Sequence, residues 1–258
     1  KKADFRGDNL EVSVPTGKLP AGQITVSADL VRKSTGESMI SRTWELRKLT
    51  TAEVAGLNTY IDENNNTIVE GKPFFPFGWY NTMDPHYYQD IDVEKMADSP
   101  FNCVLDYGIN KFPKAQILKY FDFLQSKGLK AICCMNDVYP SAPDFKNGGS
   151  WEGITGNDQI AAAVVEAYKN HPAVLAWYLN DELSKSLVPE LTGYYQRMAA
   201  EDPNHPCYIV LCEMPEVKYF PGTTDVMGVD PYPVPESPLT TVSKCVDTAQ
   251  SAVKGHKP

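Results

Sequence analysis

Asn170-His171-Pro172-Ala173-Val174-Leu175-Ala176-Trp177-Tyr178-Leu179-Asn180-Asp181-Glu182-Leu183 is the stretch whose reading decides the fold. A turn at His171-Pro172 opens into an apolar run, Ala173 to Leu179, with no polar residue to mark a wet face. An antiparallel strand with one solvated face alternates. A continuous run of this length reads as a strand covered on both sides, as in a parallel sheet with helices outside. The run stops at Asn180, Asp181 and Glu182. In parallel α/β folds the carboxyl ends of the strands build the site, so an acidic pair there is the first candidate for chemistry. A solvated strand end or a helix cap reads the same way from this stretch alone.

The neighbouring segments repeat the unit. Strands are expected at Phe74–Tyr80, Phe101–Asp106, Leu129–Met135, Ala173–Leu179, Cys207–Cys212 and Asp225–Asp230. Helical spacing follows most of them. Ile117, Tyr120, Phe121 and Leu124 share one face before Gly128, and Ile160, Ala163, Val164, Ala167 and Tyr168 share another. Pro189–Ala200 and Leu239–Val253 also read as helices, and residues 138–156 as a long loop. Strand followed by helix, six times over, argues an α/β fold with a parallel sheet. A doubly wound sheet would carry a glycine-rich first turn, but the first strand ends in Trp79-Tyr80-Asn81. The pattern therefore predicts a (β/α)8 TIM-type barrel, incomplete at about six βα units. A barrel of this kind needs eight. The chain is expected to be part of a longer protein.

Residues 1–59 differ in character. Leu10–Val14, Gln23–Val31 and Met39–Leu46 alternate apolar and polar, with turns at Pro20-Ala21-Gly22 and Ser34-Thr35-Gly36-Glu37. Two or three strands bury no core of their own, so this part is expected to be the C-terminal part of a β-sandwich plus a connector. The barrel domain then runs over residues 60–258 and begins with a hairpin around Asn64-Asn65-Asn66.

Composition narrows the function. The 258 residues carry a net charge of −9, with 42% hydrophobic and 22% charged residues. An acidic chain with scattered Lys and Arg lacks a nucleic-acid footprint, so no nucleic-acid partner is expected. No apolar run is long enough for a membrane span. The six cysteines are Cys103, Cys133, Cys134, Cys207, Cys212 and Cys245, five of them inside apolar runs and none in a CxxC pair. They read as small hydrophobes. His86, His171, His205 and His256 form no metal set, so neither a metal nor another cofactor is expected.

Each expected strand ends in polar or aromatic residues: Trp79, Tyr80 and Asn81; Asp106 and Tyr107; Asn136 and Asp137; Asn180, Asp181 and Glu182; Glu213; Asp230 and Tyr232. A barrel brings such ends onto one rim. The resulting bowl, acidic with aromatic walls, suits a sugar, because carboxylates handle hydroxyls and protons while rings stack on pyranose faces. Trp151, in the long loop, is the candidate for a mobile aromatic subsite; Trp79 and Trp177 read as wall and core. For Asp106, Asn136, Asp137 and Asp230, capping and rim solvation read equally well.

The run from His171 to Glu182 resembles the fourth barrel strand of the retaining glycoside hydrolases with (β/α)8 barrels. Gly71-Lys72-Pro73-Phe74-Phe75-Pro76-Phe77-Gly78 looks like the entry to their first strand in β-galactosidase-like and cellulase-like members, where a β-sandwich commonly precedes the barrel. Asp230-Pro231-Tyr232-Pro233 is similar to their sixth strand end. The resemblance implies a carbohydrate substrate, a retaining two-carboxylate mechanism with Glu182 as general acid/base, and an extracellular or periplasmic location. It implies substrate contacts by the strand-end residues, with Glu213 as a contact or a stand-in nucleophile. It departs from the family in two respects. Asp181 stands where those proteins carry Asn, and their nucleophile lies on a seventh strand beyond Pro258. The chain by itself is therefore expected to be inactive. A carbohydrate-binding barrel relative without catalysis is the other reading. Nothing in the sequence bears on the oligomeric state.

Overall fold

The computed structural model describes residues 15–82, 90–107, 109–136, 138 and 149–258. The chain divides into two compact units, with the boundary between Leu57 and Asn58.

The first unit is a hairpin and a short helix. β1 (Gly22–Val31) pairs antiparallel with β2 (Ser38–Lys48), and α1 (Thr51–Ala55) follows. Helix α1 starts at a reciprocal cap: Thr50 accepts from the Glu53 amide, and the Glu53 carboxylate accepts from the Thr50 amide. Leu30, Val31, Met39, Ile40, Trp44 and Leu46 are exposed on the hairpin. The strand expected at Leu10–Val14 lies outside the described residues.

The second unit opens with a small antiparallel sheet of β3 (Thr59–Ile61), β4 (Thr67–Val69) and β5 (Lys72–Pro73). Asp62 makes the tight β3–β4 turn by accepting from the amides of Asn64 and Asn66, with Asn65 at φ +65°. Six parallel strands follow: β6 (Gly78–Thr82), β7 (Cys103–Tyr107), β8 (Lys130–Cys134), β11 (Val174–Asp181), β12 (Cys207–Leu211) and β13 (Val226–Val229). Between β8 and β11 a two-residue hairpin, β9 (Ser150–Trp151) and β10 (Ile154–Thr155), interrupts the expected long loop. The helices are α2 (Asp90–Ala97), α3 (Lys114–Ser126), α4 (Asn157–Tyr168), α5 (Val188–Glu201) and α6 (Thr241–Val253).

Strand order decides the architecture. Each parallel strand pairs with its predecessor in the chain, from β6 to β13, with no reversal. A doubly wound sheet reverses at a switch point, whereas a barrel winds one way. The sheet is a curled half-barrel of six strands. The first of them starts at Gly78 rather than Phe74, because β5 takes up Lys72 and Pro73.

The two faces of the sheet are distinct. Val104, Ala131, Cys133, Val174, Trp177, Leu179, Cys207, Ile209 and Leu211 pack against the helices in the main core. The opposite, inner face carries Leu105, Cys134, Tyr178 and Val210, with Tyr107, Ile132 and Tyr208 beside them. Below that layer Cys103 and Leu175 meet Val69 of β4, so the small sheet closes the amino-terminal end of the half-barrel. All six cysteines are free, and five are buried.

Candidate functional site

The inner face holds a column of tyrosines leading up to the carboxyl end. Tyr178 lies edge-on to Tyr107 (ring centroids 6.1 Å apart, 85°) and to Tyr80 (6.3 Å, 83°), and against Tyr208 (5.3 Å, 31°). Tyr208 fits because its ring lies over Gly228 of β13, two places beyond its strand partner Val226. A Cβ on Gly228 would fall 2.5 Å from the Tyr208 hydroxyl oxygen and 2.8 Å from its ring. Burial pushes the Tyr80 phenol up to about 12 and raises Tyr178 and Tyr208 well above the ordinary phenol value, so the column consists of neutral hydroxyls.

Above the column stand the acids, and two local departures of β11 put them there. Tyr178 pairs with Tyr208, but Asn180 pairs with Ile209, so Leu179 is an extra residue on β11. A bulge of this kind shifts every later side chain by one place. Asp181, not Asn180, therefore shares the inner face with Tyr178. Both of its oxygens are used: Tyr178 donates to Oδ1 at 2.7 Å and Tyr107 to Oδ2 at 2.9 Å. Asn180 is buried behind the strand end, where its Oδ1 accepts from the Leu183 amide at 2.9 Å.

Glu182 then takes a left-handed backbone, φ +56°. A non-glycine residue there costs on the order of 1–2 kcal/mol and is uncommon outside tight turns and sites. Its effect is to keep a second consecutive carboxylate on the same side, since ordinary alternation would turn it away. The Glu182 carboxyl faces Asp230 and the Cys212 thiol. Burial and the Glu182 charge together raise Asp230 to about 6. Burial and the same charge push the Cys212 thiol up to about 11, so it stays protonated and donates. Tyr232, 80% exposed, reaches Asp230 Oδ2 with its hydroxyl at 3.3 Å. Its phenol is raised by the Asp230 charge, by burial and by the charges of Glu182 and Asp181.

The structure thus brings together Tyr80, Asp181, Glu182, Asp230 and Tyr232. Glu213 is exposed on the same rim, close enough for its charge to act on Cys212. Asn136 lies at the end of β8, with its Oδ1 2.9 Å from the Cys134 sulfur. Asp137 lies outside the described residues. Two others face away from the bowl. Asp106 is fully buried on the helix side, where Tyr120 of α3 donates to its Oδ2 at 2.7 Å, and burial raises it to about 7. Trp151 is buried in the main core, edge-on to Tyr168, with its indole N–H on the Phe112 carbonyl at 3.2 Å. Among the described residues no three His, Cys, Asp or Glu side chains converge as a metal site.

Tyr178, Tyr208 and Cys212 are the members of the site that strand-end reading passes over; Tyr107 is among the strand-end residues, without a role of its own. Tyr107 stands two residues after Leu105 on β7 and so shares its inner face.

The chain is similar to uronidases. The curated β-glucuronidase of Chlorocebus aethiops is 27% identical over 169 residues, which are 60% of this chain and 24% of that protein. Among solved structures, the GH2 β-galacturonidase of Eisenbergiella tayi superposes with a TM-score of 0.59 at 13% identity, covering 93% of this chain and 50% of that one. β-Glucuronidase 2 of Bacteroides uniformis gives 0.56 at 15%, covering 92% and 29%. No family model matches the chain. The structural likenesses are likenesses of fold. The chain spans about a quarter of the length of the curated relative it matches.

Proposed function

We propose that this chain is the greater part of the catalytic barrel of a retaining glycoside hydrolase acting on an oligo- or polysaccharide, with Glu182 as general acid/base. One observation carries the reading. Glu182 directly follows the fourth strand of a sequentially wound half-barrel, and with its left-handed backbone its carboxyl meets Asp230, next to the inner-face carboxylate of Asp181. A general acid must be positioned first and protonated second. Retention needs a partner carboxylate about 5–5.5 Å from the acid. The family resemblance puts that nucleophile at the end of a following strand, and the free edge of β13 fits such a strand. Pro258 already lies along that edge, its carbonyl accepting from the Met227 amide at 3.1 Å. Asp230, Asp181, Tyr80 and Tyr232 are then substrate contacts. The exposed apolar residues of the β1–β2 hairpin fit the tail of a β-sandwich awaiting its second sheet.

The test is Glu182→Gln in the full-length protein. Hydrolysis of unactivated glycosides is expected to fall 10²–10⁴-fold, the usual contribution of a general acid, with sugar binding retained. A variant that hydrolyses at the parent rate removes the assignment.

A further inference from the structure

Glu182 occupies a backbone region that a glutamate leaves unless its surroundings hold it there. Three contacts do so. The Glu182 amide donates to the Val210 carbonyl at 3.0 Å, which fixes the residue against β12. The next amide, that of Leu183, donates to Asn180 Oδ1 at 2.9 Å. Two residues further on, the Lys185 amide donates to Glu216 Oε2 at 2.9 Å, and the Lys185 ammonium reaches Glu216 Oε1 at 3.0 Å. One carboxylate thus takes a main-chain and a side-chain bond from the same residue. Those bonds hold it below the ordinary carboxylate range. Glu216 lies in the turn after β12, where Val217 and Phe220 are fully buried, so its carboxylate stands on a fixed base. A surface ion pair alone is worth little. The bond from the Lys185 amide is the one that ties two loops together, and a charged acceptor strengthens it.

We infer that Glu216 is a positioning residue for Glu182: by fastening the Lys185 backbone to the loop after β12, it keeps the left-handed turn closed and the general acid aimed into the bowl. The inference rests on the glycosidase reading, which makes Glu182 the acid. The action is mechanical. Asn180 holds the turn from its own strand and Val210 holds Glu182 itself, whereas Glu216 is the one of the three that holds the chain beyond the turn. A left-handed backbone is disfavoured for any residue with a Cβ, so a turn without its far anchor relaxes toward negative φ. That rotation swings the Glu182 side chain, because the backbone sets the direction of the Cβ. In the closed turn the carboxyl meets Asp230 and the Cys212 thiol, and relaxation carries it away from both. Neither the strand nor the core behind it depends on the contact, so the loss falls on proton delivery and not on the fold.

The experiment compares Glu216→Ala and Glu216→Gln in the full-length protein, with melting curves to show that both fold. The first readout needs no substrate. The Asp230 carboxyl is raised to about 6 by burial and by Glu182 together. Glu216→Ala should lower its midpoint by about 0.5 pH or more, as Glu182 moves off. Glu216→Gln keeps an oxygen for the Lys185 amide and should stay close to the parent. The second readout is kcat/KM on the dinitrophenyl and phenyl β-glycosides of glucose and galactose. Dinitrophenolate leaves without a proton, whereas phenolate needs one from the acid. Glu216→Ala should slow the phenyl glycosides by about 10-fold or more and leave the dinitrophenyl glycosides within about threefold, with Glu216→Gln restoring most of the loss. An unchanged Asp230 midpoint in Glu216→Ala, or a loss equal for both leaving groups, overturns this inference while sparing the glycosidase reading. Glu182→Gln is the control for that reading and should show the same leaving-group dependence more strongly. If it slows both glycosides alike or neither, the glycosidase reading fails and takes this inference with it.

Discussion

Glu182 and Asp230 are fastened to opposite edges of one strand: the Glu182 amide donates to the Val210 carbonyl at 3.0 Å, and the Asp230 amide to the Leu211 carbonyl at 3.4 Å. Strand β12 is thus a spacer of fixed width between two carboxyl groups. Their closeness is a property of the sheet and not of two flexible side chains. Burial and the Glu182 charge raise Asp230 to about 6, so the pair carries one proton below that pH and repels itself above it.

That arrangement predicts a titration. A carboxyl carbon resonance assigned to Asp230 should have its midpoint near pH 6, two units above an ordinary aspartate. The sign for folding follows. The native state holds this proton at pH values where the unfolded chain has released it, so stability falls as pH rises from about 4 to about 6. Asp230→Asn should flatten the dependence in that window. An Asp230 midpoint at an ordinary aspartate value would show that Glu182 and Asp230 do not share a proton.

Asp106 makes a second pH prediction, from the other face of the same sheet. It is buried with Oδ1 lacking a partner, and burial raises it to about 7 against the opposing Tyr120 bond. Its contribution is present below the unfolded value near 4 and is lost as pH rises through 7. Asp106→Asn keeps the acceptor for Tyr120 and removes the charge. Chemical denaturation at pH 8 should find the variant more stable than the parent by on the order of 1–3 kcal/mol, and at pH 4 no more stable.

How much of this was legible in the sequence follows from period and length. The apolar run Ala173–Leu179 is a strand because seven residues without a polar break cannot have a wet face, and the structure has them all buried. Sequential strand–helix units with no glycine fingerprint led to barrel winding, which the strand order bears out. Side-chain direction at the rim was not legible. Asp106 reads as a strand end like the others, yet alternation from Val104 turns it to the helices, where Tyr120 was waiting. The bulge at Leu179 and the left-handed Glu182 are set by tertiary pairing and leave no local sign. Trp151 sits among glycines and looks mobile, but the β9–β10 hairpin delivers it to Tyr168 and the core.

Gly228 should tolerate nothing larger. Its backbone needs no special φ; the constraint is the Tyr208 ring, 2.8 Å from where a Cβ would stand. Gly228→Ala must push that ring out of a packed column, at a cost of about 1–3 kcal/mol. Combining it with Tyr208→Ala should recover part of the loss relative to Tyr208→Ala alone, and thermal melts of the three variants form the cycle that measures it. Additive losses would mean that the two residues are not in contact.

Asp202 carries the last prediction. It lies at the opposite end of the half-barrel from the bowl, just before β12, and accepts the Trp177 indole N–H at 2.9 Å, the His205 ring nitrogen at 2.7 Å and the Asn204 amide at 2.9 Å. Burial alone would raise it, but bonds from His205, Trp177 and Asn204 outweigh burial and hold it below the ordinary carboxylate range. A depressed acid stabilises the fold above its unfolded value and loses that contribution as pH falls through the native one. Asp202→Ala leaves four donors without their acceptor, the Trp177 indole and the His205 ring among them in the core beneath the fourth strand, so a loss of about 3–5 kcal/mol is expected at pH 7. Trp177→Phe removes only one of those donors and should cost less. Because Trp177 belongs to the strand that leads directly into Glu182, both variants should also weaken sugar binding, and the larger structural loss should give the larger weakening. Equal melting temperatures for parent and Asp202→Ala would show that this cluster does not hold the strand.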